Sequence, residues 1–246
     1  MNATELPVGP LLAGVLVALT AYAAIGAYAG KLGTGKAVVT ASIRATVQLI
    51  AVSAVIVAVL RHGLLTVAFV TLMYVVATLT SARRVAENWS AWWIPAAAIA
   101  TGVVPVLVLL LASGLVPLRG ISVVPIAGIL IGGAMTATSL AGRRARDELR
   151  TRHGEYEAGL ALGLLRRDAA LEICRPTAAT ALVPALDQTR TVGLVTLPGA
   201  FVGVLLGGAS PVQAGAIQLL VLIGLLAVEV AAIIVTIEGV CASGRV

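Results

Sequence analysis

Histidine, cysteine, aromatic and charged residues are all scarce in this 246-residue chain, and each shortage closes off a class of function. Its only histidines are His62 and His153, and its only cysteines, Cys174 and Cys241, lie far apart in sequence. Such a pair argues for neither a disulfide framework nor a metal site, and there is no CxxC. HExxH and GxSxG are also absent, so membrane metalloproteases, serine hydrolases and haem carriers lack their chemistry here. No catalytic residue is assigned. Charged residues make up 11% of the chain and aromatics 4%, which leaves little to solvate a soluble domain. The opening MNATELPVG has no basic segment before an apolar run, so no cleaved signal peptide is expected. Asn2-Ala-Thr fits the glycosylation triplet, but a three-residue match arises often by chance.

The chain is rich instead in apolar runs. Hydrophobic residues make up 59% of it, and its mean hydropathy is +1.04. Several runs reach or approach the roughly 20 residues a helix needs to cross a hydrocarbon core of about 30 Å. Lipid offers no hydrogen-bond partners, so such runs must be helices or closed-barrel strands; these are apolar all round and do not alternate. The expectation is an all-α, polytopic transmembrane bundle forming one domain over 1–246. About seven spans are expected, near 8–29, 37–60, 64–81, 93–114, 121–142, 188–208 and 212–237. The net charge of +6 is distributed as topology signal, not as a nucleic-acid patch. With the N-terminus outside and the C-terminus inside, thirteen of the 17 basic residues fall in cytoplasmic segments, most of them in a loop over about 143–186. Phospholipid contact, an inner (plasma) membrane location and no nucleic-acid partner follow. Trp89, Trp92 and Trp93 are expected to mark the headgroup level. The pairs Gly26/Gly30, Gly128/Gly132, Gly199/Gly203 and Gly203/Gly207 are expected to let helices approach closely.

A few polar groups interrupt the spans. Arg44 and Gln48 lie one helical turn apart on one face, as a transport-pathway pair, an interhelical lock, or, for Arg44, a side chain snorkelling to the headgroups. Asp187 and Arg190, with Thr191 beside them, open the sixth span. Asp187 either favours the helix N-terminus through the macrodipole or pairs with Arg44 across the bundle. Gly193, Pro198 and Gly199 follow; a Pro-Gly step within a span is a flex point or a static kink. Glu229 interrupts LLVLIGLLAVEVAAIIV in the last span and must be protonated, paired or facing a cavity. A cation-handling role and a structural partner are both open for it. Gly30–Ala37 (GKLGTGKA) nearly spells a phosphate-binding loop, but Ala37 replaces the Mg²⁺-binding hydroxyl and no strand precedes it. If ATP is used, another chain binds it.

Residues 155–175 of the loop read as an amphipathic helix, in which Leu160, Leu164, Leu165, Ala169 and Leu171 alternate with charged residues and Gly163 divides two pieces. The spacing Glu157-Ala158…Gly163 resembles the EAA loop through which ABC-importer permeases touch their ATPase subunits. Ile43–Leu49 (IRATVQL), Val124–Met135 (VPIAGILIGGAM), Leu160–Gly163 (LALG) and Leu182–Gly199 (LVPALDQTRTVGLVTLPG), followed by Pro211 and Gln218, resemble the FetB-type ABC permease family over nearly the full length. These are bacterial iron-export permeases related to plant aluminium-tolerance permeases. The resemblance implies a permease subunit exporting metal ions such as iron and working as a homodimer, since an ABC transporter needs two membrane halves. It also implies a separate FetA-like ATPase that carries ATP-Mg, with no cofactor on this chain. It places Arg44, Gln48, Asp187, Thr191, Gly193, Pro198 and Gly199 on matching positions, and Glu157, Ala158, Leu160, Gly163 and Leu164 in the ATPase-coupling element. Gly132-Gly133 stands where the family pattern has Gly-Asn, and Glu229 where it has a small or hydroxyl residue. A proton-coupled secondary transporter using Glu229 and a non-transporting membrane scaffold are the rival readings.

Overall fold

The computed structural model describes residues 9–85 and 91–243. Trp89, Asn2 and Arg245, which entered the expectations above, lie outside the described residues. The described chain is helical, with six helices long and apolar enough to cross a membrane. Its contacts divide it into two compact units, Met1–Val59 and Leu60–Val246.

The first unit is a helical hairpin. Helix α1 (Pro10–Ala29) starts with Pro10, whose missing N–H costs nothing in a first turn, and α2 begins at Gly35 and runs to Arg61. Between them Lys31 (φ 53°) and Gly33 (φ 70°) turn through the left-handed region. The Gly30–Ala37 run is thus a tight helix–turn–helix, without the strand that a phosphate-binding loop requires. Gly35 lets α2 start close against α1, because a Cβ there would stand 3.3 Å from the Ala24 carbonyl oxygen.

The second unit holds α3 (Gly63–Val85), α4 (Trp93–Ala112), α5 (Gly120–Thr151), α6 (His153–Ala161), α7 (Arg166–Ala178), α8 (Val183–Thr191), α9 (Gly199–Leu206) and α10 (Pro211–Ala242). Helix α10 packs on α5 and α4, and α5 packs also on α3. The closest approach is at Gly102 of α4, where a Cβ would come within 2.6 Å of the Val228 carbonyl oxygen. At one end Val85, Leu149 and Cys241 share a buried cluster, and Gly239 lies against Ile94. The C-terminal ends of α3, α5 and α10 therefore meet the N-terminal end of α4, so α4 alone of these four runs the opposite way. Trp92 and Trp93, both half exposed, stand at this same end.

Two sequence expectations are revised. Helix α5 does not stop near 142 but continues to Thr151, and its 32 residues make a rod of about 48 Å, longer than a hydrocarbon core. The expected span over 188–208 is not one helix. It is two short ones, α8 and α9, separated by a turn, neither long enough to be a span by itself, and the segment leads the chain back to the start of α10. The glycine pairs also behave differently from expectation. Nothing lies within 4 Å of a Cβ built at Gly26, Gly132, Gly199 or Gly203; of the expected pairs Gly128 does lie close to another helix, at Met73 of α3, and Gly102, Gly133, Gly142 and Gly239 make further close approaches. Small-residue spacing identifies faces that can pack closely but not which of them the fold uses.

Candidate functional site

The polar end of the second unit is mostly helix. A shared cluster at that end takes up the apolar face of α7: Ala169, Ala170, Leu171, Ile173, Cys174 and Ala178 are buried against α5 and α10. The apolar face of the amphipathic 155–175 segment is thus largely taken up inside the unit, instead of being left for the membrane surface or a partner. The exposed apolar residues are Leu162, Leu164 and Leu165, at the bend between α6 and α7 where Gly163 adopts φ 91°. Glu157, Ala158, Gly163 and Leu164 are exposed, while Leu160 packs against the cluster. The expected coupling residues thus frame one projecting bend. It is stiffened by Arg152, which binds Glu155 at 2.8 Å, and by His153, which lies 3.4 Å from Glu157. The guanidinium of Arg152 holds the Glu155 carboxyl below the usual carboxylate range.

Two links that sequence did not reveal fasten α7 to α10. Glu238 near the end of α10 accepts from Arg167 Nε at 3.1 Å and Nη2 at 2.5 Å, and Arg175 lies 3.5 Å away. The two cysteines, separated in sequence, are buried neighbours on α7 and α10, and Cys174 Sγ donates to the Ala145 carbonyl at 3.6 Å. Both thiols are free. Distance along the chain was a poor guide, because the chain leaves along α7 and returns along α10.

The broken crossing carries the segment that matches the family resemblance most specifically. Asp187 sits midway along α8, not at a helix N-terminus, so the macrodipole reading does not apply. It lies 3.8 Å from Arg190 one turn on, both side chains well exposed, and Thr191 Oγ1 donates back to the Asp187 carbonyl at 2.8 Å. The helix ends there. Gly193 turns at φ 81°, its N–H donates to Thr196 O at 2.8 Å, and Pro198 caps a new helix that starts at Gly199. The break therefore falls before the Pro-Gly step, which starts a helix rather than kinking one. Leu194, Val195 and Leu197 project outward. Arg44 and Gln48 are exposed on α2 in the other unit.

In the apolar part of the second unit, some buried or half-buried polar side chains are satisfied by each other or by backbone carbonyls. Ser81 Oγ lies 3.1 Å from Ser139 Oγ and donates to Met135 O, and Tyr74 donates to Ala96 O at 2.9 Å. Thr78 Oγ1, Thr138 Oγ1 and Gln218 Oε1 are buried without a partner. Glu229 is 7% exposed and has no hydrogen bond or ion pair with a described residue. It reaches toward Gly133 of α5, where an added Cβ would stand 2.8 Å from Glu229 Oε1 and would also meet Leu225. The two departures from the family pattern therefore meet at one point. Gln218 lies eleven residues before Glu229, about three turns, so both occupy one stripe of α10; that spacing was readable in the sequence. Among the described residues no three His, Cys, Asp or Glu side chains group as a metal site.

The family model for the uncharacterised protein family UPF0014 matches residues 11–243. A Bacillus subtilis protein, "UPF0014 membrane protein YjkA", is 33% identical over 193 residues, covering 78% of this chain and 77% of the relative. The rice "UPF0014 membrane protein STAR2" is 35% identical over 150 residues, covering 61% of this chain and 53% of the relative. The Escherichia coli "Probable iron export permease protein FetB" is 33% identical over 124 residues, covering 50% of this chain and 48% of the relative. The chain thus spans about half the length of the rice and Escherichia coli relatives. No solved structure matches.

Proposed function

This chain belongs to the uncharacterised protein family UPF0014, a family of multi-pass membrane proteins, and from that premise we propose that it is the permease subunit of an ATP-binding cassette transporter that exports metal cations. A separate ATPase chain carries ATP-Mg, and two copies of the permease complete the transporter. The relative named as an iron export permease supports the cargo class. The observation that carries the mechanism is the bend between α6 and α7. It presents Leu162, Leu164 and Leu165 to the outside while Glu238 and the cysteine pair fasten α7 to α10.

An apolar tip flanked by charge suits a groove on a soluble partner. The arginines of this end (Arg83, Arg84, Arg143 and those of α7) support a cytoplasmic position for it under the positive-inside rule, the side where an ATPase resides. ATPase closure pulls on the bend; α7 transmits the pull to α10, and α10 carries Glu229 past Gly133. The broken crossing at 192–198 allows α8 and α9 to move separately, because no continuous helix joins them. Arg44, Gln48, Asp187 and Thr191 are the further polar groups assigned to the path.

Membrane vesicles holding this chain and its ATPase test the proposal: ATP-dependent flux of Fe²⁺ or another metal is expected, and absence of flux with every metal tried overturns the metal-export reading. One observation favours a second reading. The unpartnered Glu229 carboxyl suits proton-coupled transport, for which flux survives loss of the ATPase and collapses with the proton gradient.

A further inference from the structure

Glu229 is the strongest unsatisfied group in the second unit. It lies eighteen residues into α10, about 27 Å from Pro211, well inside the apolar stretch of that helix. An acidic side chain ionised at the centre of a span is costly even on insertion scales, unless a partner or water offsets it. No described residue around Glu229 offers such a partner. Helix α4 has no charged or titratable residue from Trp93 to Ala112, α5 has none from Gly120 to Gly142, and α9 has none. On α3 the Tyr74 hydroxyl is committed to Ala96 O, and Arg83 and Arg84 lie in its last turn. On α10 itself Glu238 is held by Arg167 and Arg175 of α7, with Asp168 also on Arg167; Glu172 is exposed, and the Cys174 and Cys241 thiols face each other. On α8 Asp187 lies beside Arg190.

We propose that Glu229 is carried in this packing as a neutral acid sealed against Gly133, and that cargo passage parts α5 from α10 there, exchanging the carboxyl proton for a divalent cation. The exchange balances: the acid O–H bond breaks, the proton leaves to water, and the carboxylate oxygens take the cation; the reverse step restores the seal. Gly133 is the structural requirement, since any side chain at that position displaces the Glu229 carboxyl or Leu225. The buried Gln218 Oε1, unpartnered three turns earlier on the same stripe of α10, is a second oxygen-bearing group on that helix face. Oxygen donors suit hard and borderline divalent cations. The exchange rests on the transport reading; the protonation of Glu229 does not.

The full chain in lipid nanodiscs, without any ATPase, is measured by infrared difference spectroscopy against Glu229→Gln. The wild type is expected to show the C=O stretch of a protonated carboxylic acid at neutral pH that the variant lacks, with loss of that band and release of protons when Mn²⁺ is added. Glu229→Asp, which keeps the acid, should retain a shifted band and guards against a folding artefact in Glu229→Gln. Gly133→Ala should shift or abolish the band. Absence of a protonated-acid band in wild type overturns the neutral seal. A band that Mn²⁺ leaves unchanged, with no proton release, overturns the exchange. If the band behaves as expected but ATP drives no metal flux, the transporter reading fails while the protonated seal stands.

Discussion

Replacing Glu238 with alanine (Glu238→Ala) removes the acceptor that holds both Arg167 and Arg175, and so releases α7 from the end of α10 at its charged link. The side chains are partly exposed, 34% for Glu238 against 52% and 60% for the arginines, so solvent screens the attraction. Such pairs contribute about 0.5–1 kcal/mol each, and the two-nitrogen contact from Arg167 belongs near the upper end. The expected loss is about 1–1.5 kcal/mol. The apolar face of α7 resists full detachment, because burying Leu171 and Ile173 is worth about 1.5–3 kcal/mol per side chain. Helix α7 should therefore loosen without the unit unfolding. A loss of that size raises the local opening constant about five- to thirteenfold, read as faster amide hydrogen exchange in α7. Amides of α4 and the membrane part of α5 should exchange as before. Double reversal, Arg167→Glu with Glu238→Arg, should recover part of the protection, leaving a coupling of about 0.5–1 kcal/mol. Raising salt to about 1 M, where the Debye length falls to about 3 Å, should narrow the gap between wild type and Glu238→Ala. Unchanged exchange in α7, or equal acceleration throughout the unit, would falsify the clamp.

Oxidation of the full chain with diamide should remove both thiols as one intrachain disulfide between Cys174 and Cys241, seen by alkylation and peptide mapping; two free thiols or a cross-link between chains contradicts their adjacency. Gly102→Val should cost about 1–3 kcal/mol of stability by forcing a side chain against the Val228 backbone. Gly132→Ala should stay within about 0.5 kcal/mol, since open space surrounds that position; thermal unfolding that ranks the two the other way refutes the helix contacts described. Leu162→Asp with Leu165→Asp should leave the unfolding temperature near wild type and abolish capture of the ATPase chain, and retained capture would move the docking surface elsewhere.

Much of the architecture was legible from composition because lipid is an unforgiving solvent. A run apolar on every side has one stable solution in hydrocarbon, so the spans at 10–29, 35–61, 93–112 and 211–242 lie close to where hydropathy put them. The break at Gly163 was legible too, from a glycine inside an amphipathic pattern. The interruption at 192–198 was not, since VGLVTLPG is apolar enough to read as continuous span while the backbone turns at Gly193. The amphipathic signal of 155–175 was real, but its apolar face found an internal partner rather than an external one.

The sequence by itself determined that this is a multi-pass helical membrane protein with one basic, partner-sized excursion and a few costly polar groups within its spans, because hydropathy and charge are local properties. Only the tertiary structure decided what those groups face. It brought Cys174 to Cys241 and Arg167 to Glu238, paired Asp187 with its own neighbour Arg190, and set Glu229 against Gly133 with no partner. Apart from Asp187 and Arg190, one turn apart on α8, these are meetings of residues on the returning chain, settled by helix packing and invisible to any window along the sequence.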